Sequence, residues 1–221
     1  MKADEYKKFY NDLKSKNIEL ITSPTEYNNM HIFPNAYDLI KDDTAKTLFF
    51  SLDEEIEIEI IRNSFDRFVI KDYVKSVKDT DFPKSISSDI TQSELDDYIT
   101  KFKKYRGGLL TCGICIKEFL KLKYYNDKIN EFRVFYLNGN VKDNKEIISI
   151  CRNSNQDAFT NEPPKSLLEK YSNLPSPYYT VDFVELEDGT FKIMEVGDGQ
   201  VSGLSPGPDV ESYYRMILNC L

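Results

Sequence analysis

Tyr179-Thr180-Val181-Asp182-Phe183-Val184-Glu185-Leu186-Glu187-Asp188-Gly189-Thr190-Phe191-Lys192-Ile193-Met194-Glu195-Val196 reads as two strands joined at Asp188-Gly189. Both runs are rich in β-branched and aromatic residues. An Asp-Gly pair between such runs signals a tight hairpin, because the turn needs positive φ. Folding the hairpin brings Asp182 on its first strand towards Glu195 at the end of its second. Gly197-Asp198-Gly199-Gln200 and Ser202-Gly203 follow. Glycines there permit close backbone paths and spare room for a ligand. Paired carboxylates on neighbouring strands, with Asp198 as a third, are hard oxygen ligands suited to Mg²⁺, an ion that usually arrives with phosphates. The plainer alternative leaves Asp182 and Glu195 facing solvent and the glycines serving turns alone.

Outward from this hairpin the chain mixes helices and strands. Residues 131–137 lead into Asn138-Gly139 and a return strand from Asn140-Val141, a second hairpin. Residues 153–177 are polar and hold four of the nine prolines, so they read as loop with one helix over 166–171. The tail, 209–221, reads as a helix. Upstream, Leu95, Tyr98, Phe102 and Tyr105 line one face of a helix over 93–105, ended by Gly107-Gly108. Strands are expected over 113–119, 67–74, 47–52 and 18–21, the last broken by Ser23-Pro24. Ser51-Leu52-Asp53-Glu54 fits a capping box and predicts a helix over 53–61, although the Glu-Ile alternation there also has strand period. Tyr6, Phe9, Tyr10 and Leu13 mark a first amphipathic helix, and Pro34 opens another with Tyr37 and Ile40 inward. The pattern is α+β, with antiparallel hairpins in the second half.

Composition narrows the function. The 221 residues are 40% hydrophobic and 30% charged, an ordinary globular mixture. The net charge of −8 argues against a general polyanion binder, so no nucleic-acid partner is expected. No apolar run approaches the ~20 residues of a membrane span, so no membrane is expected either. The polar first ten residues do not resemble a secretory signal, and four cysteines make no disulfide scaffold; a cytoplasmic home is expected. The single histidine, His31, excludes chemistry that needs several.

Other candidate residues follow strand parity. Lys71 and Lys75 fall on one face of the strand at 67–74, and a lysine there is a point charge for phosphate. Glu131, Arg133 and Phe135 share one strand face, and Arg152 follows the strand over 147–151. Arginine grips phosphate through a fork of donors, while an edge ion pair such as Glu131 with Arg133 is the plainer alternative. Ile116-Lys117-Glu118-Phe119-Leu120 is an apolar strand able to pass an adenine, or simply core. Cys112-Gly113-Ile114-Cys115 is a lone CxxC, and a structural zinc site needs four ligands; buried or incidental cysteines are the expectation.

Taken in order, these pieces resemble the ATP-grasp superfamily. Val69-Ile70-Lys71-Asp72-Tyr73-Val74-Lys75-Ser76 looks like its phosphate-contacting strand, and residues 116–120 look like the hinge strand beside the adenine. The run from Glu131 to Gly139, with Glu131-Phe132-Arg133 at its start, is similar to its central strand and turn. Val181-Asp182-Phe183 with Ile193-Met194-Glu195-Val196 looks like its metal hairpin. The nearest branch resembled is the small clade named for two arginines and a lysine, echoed again in residues 195–204. The resemblance covers about residues 60 to 205 and implies an ATP-grasp-like α+β fold. Two lobes would clasp a nucleotide, with an antiparallel sheet in the C-terminal one. The expected division is 1–60 as a reduced substrate-side segment, 61–115 as the small lobe and 116–221 as the C-terminal lobe. Lys71 and Lys75 would hold ATP phosphates. Lys117, Glu118, Phe119, Leu120 and Glu131 would serve the adenosine side. Arg133 and Arg152 would act on the transferred phosphoryl group or the acyl-phosphate. Asp182, Glu195 and Asp198 would hold Mg²⁺.

The implied reaction is ATP-dependent joining of a carboxylate to an amine or thiol through an acyl-phosphate, with the carboxylate a small molecule, peptide or protein. Two other readings stand beside it: a non-catalytic ATP-binding assembly chaperone, and an α+β binding module without a nucleotide site. Two features depart from the family pattern. Gly197 stands where an asparagine usually follows the metal-binding glutamate by two. Only about 60 residues precede the core, so the substrate side is expected to be reduced or contributed by a partner.

Overall fold

The computed structural model describes residues 1–138, 145–152, 161–204 and 209–220. Along the chain run α1 (Ala3–Lys14), α2 (Pro24–His31), α3 (Phe33–Ile40), β1 (Thr47–Ser51), α4 (Ile58–Arg62), β2 (Arg67–Asp72), β3 (Ile86–Ser87) and α5 (Gln92–Arg106). They continue with β4 (Gly113–Glu118), β5 (Tyr124–Tyr125), β6 (Lys128–Ile129), β7 (Glu131–Asn138), β8 (Lys145–Arg152), α6 (Lys165–Lys170), β9 (Tyr178–Glu185), β10 (Phe191–Asp198) and α7 (Val210–Cys220). The chain forms two compact units, Ala45–Leu120 and Met1–Thr44 with Lys121–Leu221. This division differs from the expected one. Residues 1–44 belong with the C-terminal elements, and 45–60 belong with β2, α5 and β4.

In the unit Ala45–Leu120 an antiparallel sheet runs β1-β4-β2-β3. Phe50, Phe68, Ile70, Ile114 and Ile116 point to one face and pack with Leu95 and Phe102 of α5 and with Ile56, Ile58, Ile61 and Phe65. Full burial of such side chains contributes roughly 1.5–3 kcal/mol each. Helix α5 begins in a capping box: Thr91 Oγ1 accepts from the Glu94 amide while the Glu94 carboxylate accepts from the Thr91 amide at 2.8 Å. It ends at Gly107, whose φ of +47° favours glycine.

In the other unit the sheet order is β10-β9-β7-β8, antiparallel throughout. Strand β9 lies inside it, and all eight of its residues are buried. One face carries Phe132, Tyr136, Tyr179, Phe183 and Phe191. There Tyr136 stacks on Tyr179 at 5.0 Å, and Phe183 meets Tyr171 just beyond α6. The opposite face carries Phe135, Leu137 and Tyr178, which pack against Tyr213 and Ile217 of α7. Further along that second face, cross-strand pairing sets Arg133, Asp182 and Glu195 side by side.

Several local expectations are corrected. Residues 18–21 form no strand. Ser23-Pro24 opens α2, with Ser23 and Glu26 in a reciprocal capping box. In α3 the buried residues are Phe33, Ala36 and Ile40, while Tyr37 is only half-buried. Ser51 and Glu54 do bond, but they close a turn after β1, and the helix starts only at Ile58. Strand β2 ends at Asp72, two residues early. The Asp72 carboxylate accepts from the amides of Val74 and Lys75, which turns the chain out of the sheet. The expected turn at Asn138-Gly139 and the start of its return strand at Asn140-Val141 lie at or beyond the edge of the described residues. The return strand is described from Lys145.

Candidate functional site

A bulge in β10 makes the first constellation. Ile193 pairs with Phe183, yet Glu195 pairs with Asp182, so Met194 is the extra residue. Strict alternation would have put Met194 opposite Asp182 and Glu195 on the far face; the inserted residue reverses parity and re-aims the glutamate. Residues outside the sheet pin the bulge. The Ile193 amide donates to the Asp43 carbonyl at 2.6 Å, and Thr44 Oγ1 donates to the Ile193 carbonyl at 2.8 Å.

Arg133 on β7 completes the row. Its Nε donates to Asp182 Oδ1 at 2.8 Å and one terminal nitrogen to Oδ2 at 2.7 Å, a bidentate pair. Its other terminal nitrogen donates to the Gly203 carbonyl at 3.2 Å. The Asp182 carboxylate, with Glu195 and Glu131 farther off, raises the guanidinium's pKa above its ordinary value, against the opposing effect of burial. In the next register row Thr180 lies opposite Gly197, and its hydroxyl meets Ser202 Oγ at 2.8 Å.

Asp198 does not join this row. It follows Glu195 by three strand positions, so it points to the other face, in register with Tyr179. It is fully buried there, with Oδ1 accepting from the Gln200 amide at 3.0 Å. Its Oδ2 finds no hydrogen-bond donor, and burial pushes the carboxyl above the usual range. Its expected place beside Asp182 and Glu195 is therefore corrected. Among the described residues no group of three His, Cys, Asp or Glu side chains assembles a metal site. The donor pair Asp182 and Glu195 still suits Mg²⁺, which is typically held by one or two carboxylates with waters and substrate phosphates completing its shell.

The second constellation lies on the sheet of the unit Ala45–Leu120. Lys71 is opposite Cys115, and Lys117 is opposite Val69. Cross-strand neighbours share a face, so both lysines project from the side away from α5. Lys117 is buried, at 3% exposure. Burial pushes the Cys115 thiol up to about 12, although both lysine charges pull it down. Lys75, expected on the same face as Lys71, lies beyond the strand end and is exposed. Asp72, buried, is held by Arg106 at 2.8 Å and fixes the strand end beside Lys71.

The remaining candidates scatter. Glu118 closes β4, exposed, and accepts from the Lys46 amide at 3.3 Å. Phe119, also exposed, meets the Arg67 guanidinium at 5.7 Å, and Leu120 is half-buried at the unit's end. Glu131 begins β7 on Arg133's face. Arg152 closes β8 in register with Phe132, one position out of step with Arg133. Cys112 and Cys115 form no disulfide. Sequence reasoning named Lys117 but did not pair it with Lys71, a relationship that comes from the register of β2 and β4. It missed the Gly203 carbonyl and the Thr180–Ser202 pair, for which the sequence carries no signal.

These features define an α+β protein with two lysines on one sheet and an arginine–carboxylate row on another. The chain belongs to the ATP-grasp domain family, R2K clade family 3, whose sequence pattern matches residues 40–217. No curated protein matches it in sequence. Among solved structures it is similar to D-alanine–D-alanine ligase from Bacillus anthracis complexed with ATP. Identity is 15% and the TM-score 0.60, over 96% of this chain and 73% of that one. It is similar to the ATP-grasp ligase PsnB complexed with precursor peptide PsnA2 and AMPPNP, at 13% identity and TM-score 0.56, over 99% and 68%. It is also similar to N5-carboxyaminoimidazole synthase from Aspergillus clavatus, at 11% identity and TM-score 0.52 over 85% of this chain. The chain spans about half the length of that synthase, 49%. At these identities the likeness is one of fold, and the fold is that of ATP-grasp ligases. No helix among the described residues is long and apolar enough to cross a membrane.

Proposed function

We propose that the chain is an ATP- and Mg²⁺-dependent ligase that joins a carboxylate to an amine or thiol through an acyl-phosphate. The observation that carries this reading is the in-register row Arg133–Asp182–Glu195, which a one-residue bulge creates on the sheet face. A row of charges is costly to bury, and a fold that spends a bulge to align them supports a ligand-binding role.

The residues divide the work. Lys71 and Lys117 bind phosphate as point charges, and Lys117, partly stripped of water, acts more strongly than an exposed lysine would. Asp182 and Glu195 hold Mg²⁺, which when bound neutralises charge on the phosphates. Arg133, its fork held by Asp182 and its other terminal nitrogen by the Gly203 carbonyl, supplies fixed positive charge to the γ-phosphoryl group or to the acyl-phosphate. The substrate carboxylate oxygen attacks the γ-phosphorus and ADP leaves. The amine then attacks the acyl carbon and phosphate leaves. The chain's share of the catalysis is orientation and fixed positive charge, so no histidine base is required. PsnB is complexed with a precursor peptide, which supports testing peptide carboxylates first.

The test is release of ADP and phosphate from Mg·ATP with pooled amino acids and acidic peptides. Release that needs both a carboxylate and an amine supports the ligase. Tight nucleotide binding with no release in any pool overturns it in favour of a nucleotide-binding chaperone.

A further inference from the structure

We propose that Gln200 and Thr22, with Tyr6, are positioning residues for the Arg133–Asp182 row, so that the N-terminal segment sets the geometry of the site. This rests on the ligase reading above. The short 3₁₀ turn Gly199–Val201 follows β10, and of its three residues only Gly199 is buried. Val201 is 47% exposed. Apolar packing therefore holds this turn only at Gly199, which lies against the Tyr178 ring, where an added Cβ would come within 2.7 Å.

Two local bonds close the turn, from the Gln200 amide to Asp198 Oδ1 at 3.0 Å and from Ser202 Oγ to the Asp198 carbonyl at 2.9 Å, and the Gln200 side chain leads on to the first 22 residues. Gln200 Nε2 donates to the Tyr6 hydroxyl at 2.8 Å and to Thr22 Oγ1, and its Oε1 accepts from the Ile21 amide at 3.2 Å. Tyr6 in turn donates to the Thr22 carbonyl at 2.8 Å, and its ring stacks on Tyr27 at 3.8 Å. The same turn reaches the site. Ser202 Oγ meets Thr180 Oγ1, and the Gly203 carbonyl takes the Arg133 nitrogen that Asp182 leaves over. A continuous path thus runs from Tyr6 and Thr22 through Gln200 to Ser202, Gly203 and Arg133. Both N–H groups and the oxygen of the Gln200 amide bond to that segment, so the side chain acts as a tether of fixed length. A displacement of the turn removes one of the contacts that orient the guanidinium, and small misplacements of a positioning group are costly to catalysis.

The test uses the full chain with Gln200→Ala, Thr22→Val and Thr22→Ser, and Lys41→Ala as a surface control. Amide hydrogen exchange at residues 201–203 reads the tether without nucleotide. Mg·ATP titration reads its effect on the site. Expected are faster exchange and roughly tenfold weaker Mg·ATP binding in Gln200→Ala and Thr22→Val, about 1.4 kcal/mol. Thr22→Ser, which keeps the hydroxyl, should match wild type in both, as should Lys41→Ala. Wild-type exchange in Gln200→Ala overturns the tether. Altered exchange with unchanged Mg·ATP affinity overturns its role at the site. Absence of Mg·ATP binding by wild type overturns the ligase reading and the role with it, while the exchange result still decides whether the tether exists.

Discussion

Arg133 and Asp182 face each other across β7 and β9, in register, joined by two parallel hydrogen bonds of 2.8 and 2.7 Å. The Asp182 side chain is 4% exposed and that of Arg133 is 19%. A pair this well enclosed leaves a costly charge behind when one member is removed. Arg133→Ala should lose about 3–5 kcal/mol of stability, because Asp182 would remain buried and uncompensated. Arg133→Lys should recover part of that, keeping the charge without the fork. Urea unfolding checks both. Added Mg²⁺ should stabilise Arg133→Ala more than wild type, since the ion can take the place of the missing cation; equal effects would contradict the assignment of Asp182.

Gly113 begins β4 with no room for a side chain. An added Cβ would lie 2.4 Å from the Tyr73 ring and 2.5 Å from the Phe50 carbonyl. The second contact is backbone and cannot swing away. Gly113→Ala should therefore cost about 1–3 kcal/mol by overpacking, read as a lowered melting temperature.

Asp198 provides a pH test. Burial raises its carboxyl above the unfolded value. The folded state therefore favours the protonated form, and this contribution is fully present below the ordinary carboxylate range. It is lost as pH rises through the raised value. Asp198→Asn removes the buried charge and keeps an oxygen for the Gln200 amide. The variant should gain stability relative to wild type at pH 8 and lose that advantage at pH 4, as measured by denaturant unfolding at the two pH values.

The two cysteines of the CxxC should differ in reactivity. Cys112 is exposed, whereas Cys115 is buried and its thiol is pushed up to about 12. The thiolate is the reactive form. At pH 8 a thiol reagent should label Cys112 in the folded protein and spare Cys115 until urea is added. As pH climbs from about 9 towards 12 the fold should weaken, because the unfolded thiol ionises first.

Much of the fold was legible because local chemistry agreed with it. The Asp188-Gly189 turn, the apolar face of α5 and the Gly107 stop each act within a few residues. The bulge at Met194 was not legible. Residues 43 and 44 pin it, 149 or more positions away in sequence, and it alone decides that Glu195 rather than Met194 faces Asp182. Asp198 was misplaced for a related reason. The strand continues through it, so parity turns it away from Glu195. Lys75 failed because the Asp72 side chain captures two amides and ends β2 early. The Glu54 carboxylate accepts from the Ser51 amide, half of a capping box, but the Glu54 amide donates to the Ser51 carbonyl instead of its hydroxyl, so the contacts close a turn.

In the function we propose, Lys71 and Glu195 are each required for binding Mg·ATP. Thermal unfolding of wild type, Lys71→Ala and Glu195→Ala, each with and without Mg·ATP, tests it most directly. At a nucleotide concentration of 100 Kd, wild type should gain about 2.7 kcal/mol by mass action, a rise of roughly 5–10 °C for a chain of this size. Both variants should melt near wild type without ligand and show little or no rise with it. A full Mg·ATP-dependent rise in Glu195→Ala would contradict the account.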